Sequence, residues 1–172
     1  MSEQKQAERA VLVETEEEAG PERFSRGKII ITGSRSREEA LPEGAEWWSR
    51  KLGGAPIVKR GRRSLQQLAA EHGAWGVLVI EAERVTFYVP SLGIEYFYHP
   101  STAKKRIHNL RVGQGDPMVK AMALKPGDWV LDCTLGRGTD AIVASFVVGP
   151  EGRVVGLESV PVIAAMTEHG LK

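Results

Sequence analysis

Residues 126–141 read Pro-Gly-Asp-Trp-Val-Leu-Asp-Cys-Thr-Leu-Gly-Arg-Gly-Thr-Asp-Ala, and this order decides the fold. The apolar run Trp129-Val130-Leu131 predicts a short strand, and Asp132 stands at its carboxyl end. Gly136 and Gly138 then allow a tight turn, because glycine adopts positive φ without a Cβ clash. A helix is predicted to begin near Thr139 or Asp140 and to run through Ala141–Val148. Strand, glycine turn and helix N-terminus together are the part of an α/β sheet where ligands meet backbone N–H groups.

The pattern returns downstream. Gly152-Arg-Val-Val-Gly-Leu-Glu158 predicts a second parallel strand, again with an acid at its carboxyl end. Twenty-six positions separate Asp132 from Glu158, which is room for one helix and one return strand. A carboxylate so placed accepts hydrogen bonds from the hydroxyls of a ribose. Three readings compete. In the first, Gly136-Arg-Gly-Thr-Asp-Ala141 is a loose dinucleotide fingerprint, but Asp132 precedes its glycines and would repel a pyrophosphate. In the second, the same acid attracts the ammonium of an amino-acid ligand. In the third, the glycines serve a turn and no ligand.

Asp132-x-x-x-Gly136-x-Gly138 with the later Glu158 resembles the S-adenosylmethionine site of class I methyltransferases. Two flanking segments resemble a narrower type. They are Lys105-Arg-Ile-His-Asn-Leu-Arg-Val-Gly-Gln-Gly-Asp-Pro-Met-Val-Lys-Ala-Met-Ala-Leu124 and Leu157-Glu-Ser-Val-Pro-Val-Ile-Ala-Ala-Met-Thr-Glu-His-Gly-Leu171. Both look like the RsmJ type and its Firmicute relatives, which methylate the exocyclic amine of a guanine in small-subunit ribosomal RNA. The resemblance covers residues 65–172 and is specific over 105–171.

That resemblance implies the first part of a Rossmann-like sheet; the strands and helices read ahead of it predict a small N-terminal α/β domain, so the fold class is α/β. The resemblance implies S-adenosylmethionine as cofactor and RNA as partner. Asp132 would meet the methionine amino group, and Glu158, with Ser159 beside it, the ribose hydroxyls. Thr134, Gly136, Arg137, Gly138 and Asp140 would border the cofactor. Arg106, His108 and Arg111 are candidates for the methionine carboxylate or for RNA phosphates, and the guanidinium of an arginine can offer two parallel hydrogen bonds. His108 reads as a surface histidine and Cys133 as packing beside the ligand. Amino-group methyltransferases carry an Asp-Pro loop after their fourth strand; Asp116-Pro117-Met118 shares its letters but precedes the first core strand, and reads as a helix cap. The expectation is therefore an N-terminal portion of a longer enzyme, with an open parallel sheet that a second copy could cover as a homodimer. A non-catalytic relative that binds RNA or a partner is the alternative, and a nicotinamide enzyme the third reading.

Composition sets wider bounds. Hydrophobic content of 42%, charged content of 26% and net charge of +1 are ordinary and give no global field for nucleic acid. The single cysteine excludes a disulfide framework or zinc ribbon and fits a reducing cytoplasm. No run has the length of a membrane span, and no signal-peptide pattern opens the chain. Charge is nonetheless uneven: residues 1–22 hold seven acids and two bases, residues 23–63 eleven bases and four acids, and residues 99–120 five bases and one acid.

Residues 1–25 read as a mostly disordered acidic arm, with a helical turn or two at Ala7 to Val13. Residues 26–98 read as a small α/β domain. Its strands are Lys28–Thr32, Gly76–Ile80, Arg84–Val89 and Ile94–Tyr98, and its helices Pro42–Leu52 and Leu65–His72, the latter capped by Ser64 with Gln67. Gly33-Ser-Arg-Ser-Arg37 is either an ordinary turn or a phosphate-holding one. Lys59-Arg-Gly-Arg-Arg63 is either solvated surface or a phosphate clamp. Residues 99–125 read as a helical linker bordering the cofactor cleft, and 126–172 as the incomplete cofactor-binding core.

Overall fold

The computed structural model describes residues 11–14, 28–35 and 42–172. Two compact units divide the chain, one drawn from residues 18–98 and one from residues 99–172 together with the segment before residue 18. Both are α/β, and each has its own sheet.

The sheet of the second unit begins with β1 (Val11–Glu14), which lies inside the segment expected to be a disordered arm. This is a correction. The strand pairs in parallel with a strand far along the chain, so its backbone groups are satisfied non-locally and no turn or alternation announced it. The helical turn expected at Ala7 to Val13 is corrected over Val11–Val13, which are strand, and the remaining residues of that expected arm lie outside the described residues.

In the unit of residues 18–98, β2 (Lys28–Gly33) pairs in parallel with β3 (Ala74–Ile80). Antiparallel β4 (Val85–Val89) and β5 (Ile94–Phe97) follow in order. The β-branched run Ile29-Ile30-Ile31 suits a buried strand at the edge of this sheet, and Ile30 and Ile31 are fully buried. Between the first two strands come α1 (Ala45–Lys51) and α2 (Leu65–His72). Leu68 and Ala69 of α2 close on Ile30, Val77 and Val79, the face that period two selects. The Ser64 hydroxyl accepts from the Gln67 N–H and the Gln67 amide oxygen from the Ser64 N–H, so the predicted capping box is present. Adjacent Trp47 and Trp48 meet edge to face at 4.8 Å, and Trp48 is the buried one. Phe87 is buried against Trp75, while Phe97 is exposed under the Arg84 guanidinium.

The other unit continues with α3 (Ser101–Arg111) and α4 (Pro117–Ala121), then β6 (Trp129–Asp132), α5 (Thr139–Val148), β7 (Arg153–Leu157) and α6 (Pro161–Gly170). Its sheet is parallel throughout, in the order β1-β7-β6. Helix α5 contacts all three strands and α3 as well, which is why it is apolar nearly all round and buries Ala141 through Ser145 and Val148. Its fully buried valines, Val143 and Val148, each contribute about 1.5–3 kcal/mol of hydrophobic stabilisation. Trp129 and Leu131 project from the other face of β6 and are exposed. Among the described residues no helix is long and apolar enough to cross a membrane.

Candidate functional site

Parallel register pairs Asp132 of β6 with Gly156 of β7, so Asp132 and Glu158 occupy the same carboxyl end of one sheet. The loop between β6 and α5 lies across that end and is tied down at several points. The Leu135 N–H donates to the Leu157 carbonyl at 2.9 Å, and the Leu135 side chain is buried. The Thr167 hydroxyl of α6 donates to the Gly136 carbonyl at 2.6 Å. The Gly138 N–H closes back on the Leu135 carbonyl at 2.7 Å, and its own carbonyl receives the first helical bond from Ile142 at 2.8 Å. Gly136 and Gly138 have φ of 51° and 67°, so both glycines answer a backbone requirement.

Glu158 joins the two halves. One of its oxygens accepts from the Gly136 N–H at 3.0 Å and the other from the Val160 N–H at 2.9 Å. Asp132 accepts from the Thr134 N–H at 3.0 Å through one oxygen. A carboxylate has about four acceptor sites. Glu158 therefore keeps one lone pair on each oxygen, and Asp132 keeps more. Around them Thr134, Arg137 and Ser159 are exposed. The acceptor positions left on Asp132 and Glu158 fit a ligand that brings its own N–H and O–H groups, as an ammonium and a ribose do. Among the described residues no cluster of His, Cys, Asp and Glu could hold a metal ion.

Arg106 has a different occupation from the one expected of it. Its Nε and Nη2 bond the two oxygens of Asp116 at 2.7 and 2.9 Å, and its Nη1 bonds Asp140 in the first turn of α5. Asp116 is buried and also caps α4, accepting from the Met118 and Val119 N–H groups at 3.0 and 3.2 Å. The Arg106 hydrogen bonds pull the Asp116 carboxyl down to about 2 against the opposing effect of burial. The same bonds raise the Arg106 guanidinium further. Arg106 thus braces α3 to the N-termini of α4 and α5, and Asp140 is its partner as well as a helix-dipole acid. The Arg111 guanidinium lies 5.4 Å from the Phe146 ring centroid, against α5. His108 and Cys133 are exposed.

Sequence reasoning overlooked Leu135, Gly156 and Thr167. Leu135 is an apolar residue inside a glycine turn, which was a readable sign of an anchor. Gly156 leaves the space that the Leu135 side chain fills. Thr167 gave no local sign, because its bond spans 31 positions.

Residues 114–172 match the family model described as Protein-L-isoaspartate(D-aspartate) O-methyltransferase. Among curated relatives, "Uncharacterized protein YpiP" of Bacillus subtilis is 36% identical over 145 residues, which is 83% of this chain and 54% of that protein. "Protein-L-isoaspartate O-methyltransferase" of Ignicoccus hospitalis is 42% identical over 55 residues, 32% of this chain and 26% of its own length. "Arsenite methyltransferase" of Halobacterium salinarum is 42% identical over 53 residues, 31% of this chain and 13% of its own. The chain spans about half the length of YpiP. These similarities support a methyltransferase core over the stretch that builds the site, and they carry no ribosomal RNA specificity.

Proposed function

We propose that residues 99–172 bind S-adenosylmethionine, that the protein is a methyltransferase, and that its acceptor is RNA, with a guanine amine of ribosomal RNA as the finer reading. One observation carries the first step: two acids end adjacent parallel strands and share a glycine loop at the N-terminus of α5. The methyltransferase match over residues 114–172 spans that arrangement and supports the reading. When bound, the donor supplies a methyl group made electrophilic by its sulfonium. In this reading Asp132 takes the ammonium, Glu158 takes the ribose hydroxyls, and the loop held by Leu135 and Thr167 fixes the distance between them. The chain's contribution is orientation, which can account for much of a methyl-transfer barrier. The acidic strand end also disfavours the pyrophosphate of a nicotinamide cofactor.

RNA as acceptor is supported by the basic segments 23–63 and 99–120 and by the resemblance over 105–171. A second acceptor is favoured by the family match itself, the carboxyl group of an isoaspartyl peptide.

Calorimetric titration with S-adenosylmethionine and with its demethylated product tests the site. Wild type binds both. Glu158→Gln and Asp132→Asn each weaken binding about tenfold or more, the worth of a charge-assisted hydrogen bond. Absence of binding to wild type, or equal affinity in both folded variants, overturns the donor site. Label from a methyl-tritiated donor entering ribosomal RNA supports the RNA acceptor. Label entering an isoaspartyl peptide instead supports the second.

A further inference from the structure

Two stretches of the unit of residues 18–98 each carry an ambiguous anion-binding signature, and the fold brings them together. Gly33-Ser34-Arg35 leaves the carboxyl end of β2. Ile57 bridges in parallel to Ile31 on the outer side of that strand, and the Val58 N–H donates to the Ile31 carbonyl at 2.8 Å. The chain therefore delivers Lys59-Arg-Gly-Arg-Arg63 to the same end. The Arg35 Nη2 then donates to the Arg62 carbonyl at 2.6 Å across 27 positions.

The basic turn is cross-braced by its own arginines. The Arg60 Nε donates to the Arg63 carbonyl at 3.3 Å, and the Arg63 Nε returns to the Arg60 carbonyl at 3.0 Å. Arg63 also donates to the Lys59 carbonyl and pairs with Glu71 at 2.8 Å. These bonds fix the backbone of the turn and hold its cations side by side before any ligand arrives. Five cations, Arg35, Lys59, Arg60, Arg62 and Arg63, gather at the carboxyl end of β2. Glu71 pairs with Arg63, and Glu81 acts on Arg60. Burial, and then the charge of Arg35, lower the pKa of Arg60, with Glu81 opposing. Such crowding is relieved by a bound polyanion.

We propose that this corner of the fold binds the phosphodiester backbone of an RNA strand, with Arg35, Arg60 and Arg62 contacting successive phosphates. The carboxyl ends of parallel strands are where open α/β sheets take ligands. A lone phosphate would seek the N–H groups at the start of α2, but Ser64 and Gln67 have already satisfied two of them. Side-chain cations spread over two segments suit a row of phosphates instead. The inference rests on the RNA reading above only for the choice of polymer, and its test needs no methyl donor.

The test is fluorescence anisotropy of a labelled single-stranded oligoribonucleotide with the full chain, over a salt series. The double variant Arg35→Gln, Arg62→Gln is expected to bind about tenfold or more weaker. Its slope of log affinity against log salt is expected to fall by about one to two units, since each phosphate contact on a single strand contributes about 0.7. The thermal melt should remain cooperative and shift down by only a few degrees, the cost of the lost Arg35–Arg62 hydrogen bond. Retained affinity in the folded double variant overturns the proposal. So does loss of affinity in Lys104→Gln, Lys105→Gln alone, which would put RNA on the other unit. Equal competition by inorganic phosphate at matched ionic strength, or by polyglutamate, overturns it as well, in favour of a small-anion or acidic-protein site.

Discussion

At the scale of single residues, the pair Arg106–Asp116 makes the firmest energetic statement. Asp116 is buried, and Arg106 holds both of its oxygens while also reaching Asp140. Removing one partner of a buried pair leaves an uncompensated charge, so Arg106→Ala should cost about 3 kcal/mol in a urea melt. Arg106→Lys should recover only part of this, because an ammonium cannot span two carboxylates in a fixed fork. The sign of the pH dependence follows from the Asp116 carboxyl, which stands at about 2 in the folded protein, below its ordinary value. Between those values the unfolded chain binds more protons than the folded one. The contribution, about 2 kcal/mol, is complete above the ordinary value of about 3.9 and fades as the pH falls toward 2. Asp116→Asn should flatten the urea midpoint over that window. An unchanged slope would remove Asp116 from the account. The sequence suggested the Asp116 cap from Pro117 and the apolar run behind it. The Arg106 brace was not visible there, because its partners lie 10 and 34 positions away.

At the scale of elements, the loop between β6 and α5 depends on a void left by a strand. A Cβ built on Gly156 would come within 2.5 Å of the Leu135 Cδ1 and 3.0 Å of its Cδ2. Gly156→Ala should therefore displace Leu135 and cost about 1–3 kcal/mol as an overpacked core. Its affinity for S-adenosylmethionine should fall as well, because Leu135 anchors the loop that carries Gly136. Wild-type melting and wild-type affinity in this variant would show that the loop holds without its apolar anchor. Elements with local signals were legible in the chain. The capping box at Ser64, the proline at the start of α4, and the paired apolar runs that end in Asp132 and Glu158 all had a spacing to read. Strand β1 had only the short run Val11-Leu-Val13 in an acidic context, and its partner β7 lies far along the chain.

For the whole molecule, two sheets divide the work that is proposed here. The parallel sheet ends in Asp132 and Glu158 and faces a donor, whereas the mixed sheet gathers Arg35 and the 59–63 turn and faces a polymer. Sequence reading placed both sets of residues on turns after strands, because glycine, acid and arginine are distinctive there. It could not join Arg35 to Arg62 or Gly136 to Glu158, since those contacts span 27 and 22 positions and arise only when strands align. The central claim concerns where the methyl donor sits, and amide chemical-shift mapping of the full chain with saturating S-adenosylhomocysteine tests it most directly. The account predicts that the largest shifts fall on residues 132–138 and 158–160, with the loops at 33–35 and 59–63 undisturbed. No shifts at saturation, or shifts centred on those basic loops, would contradict it.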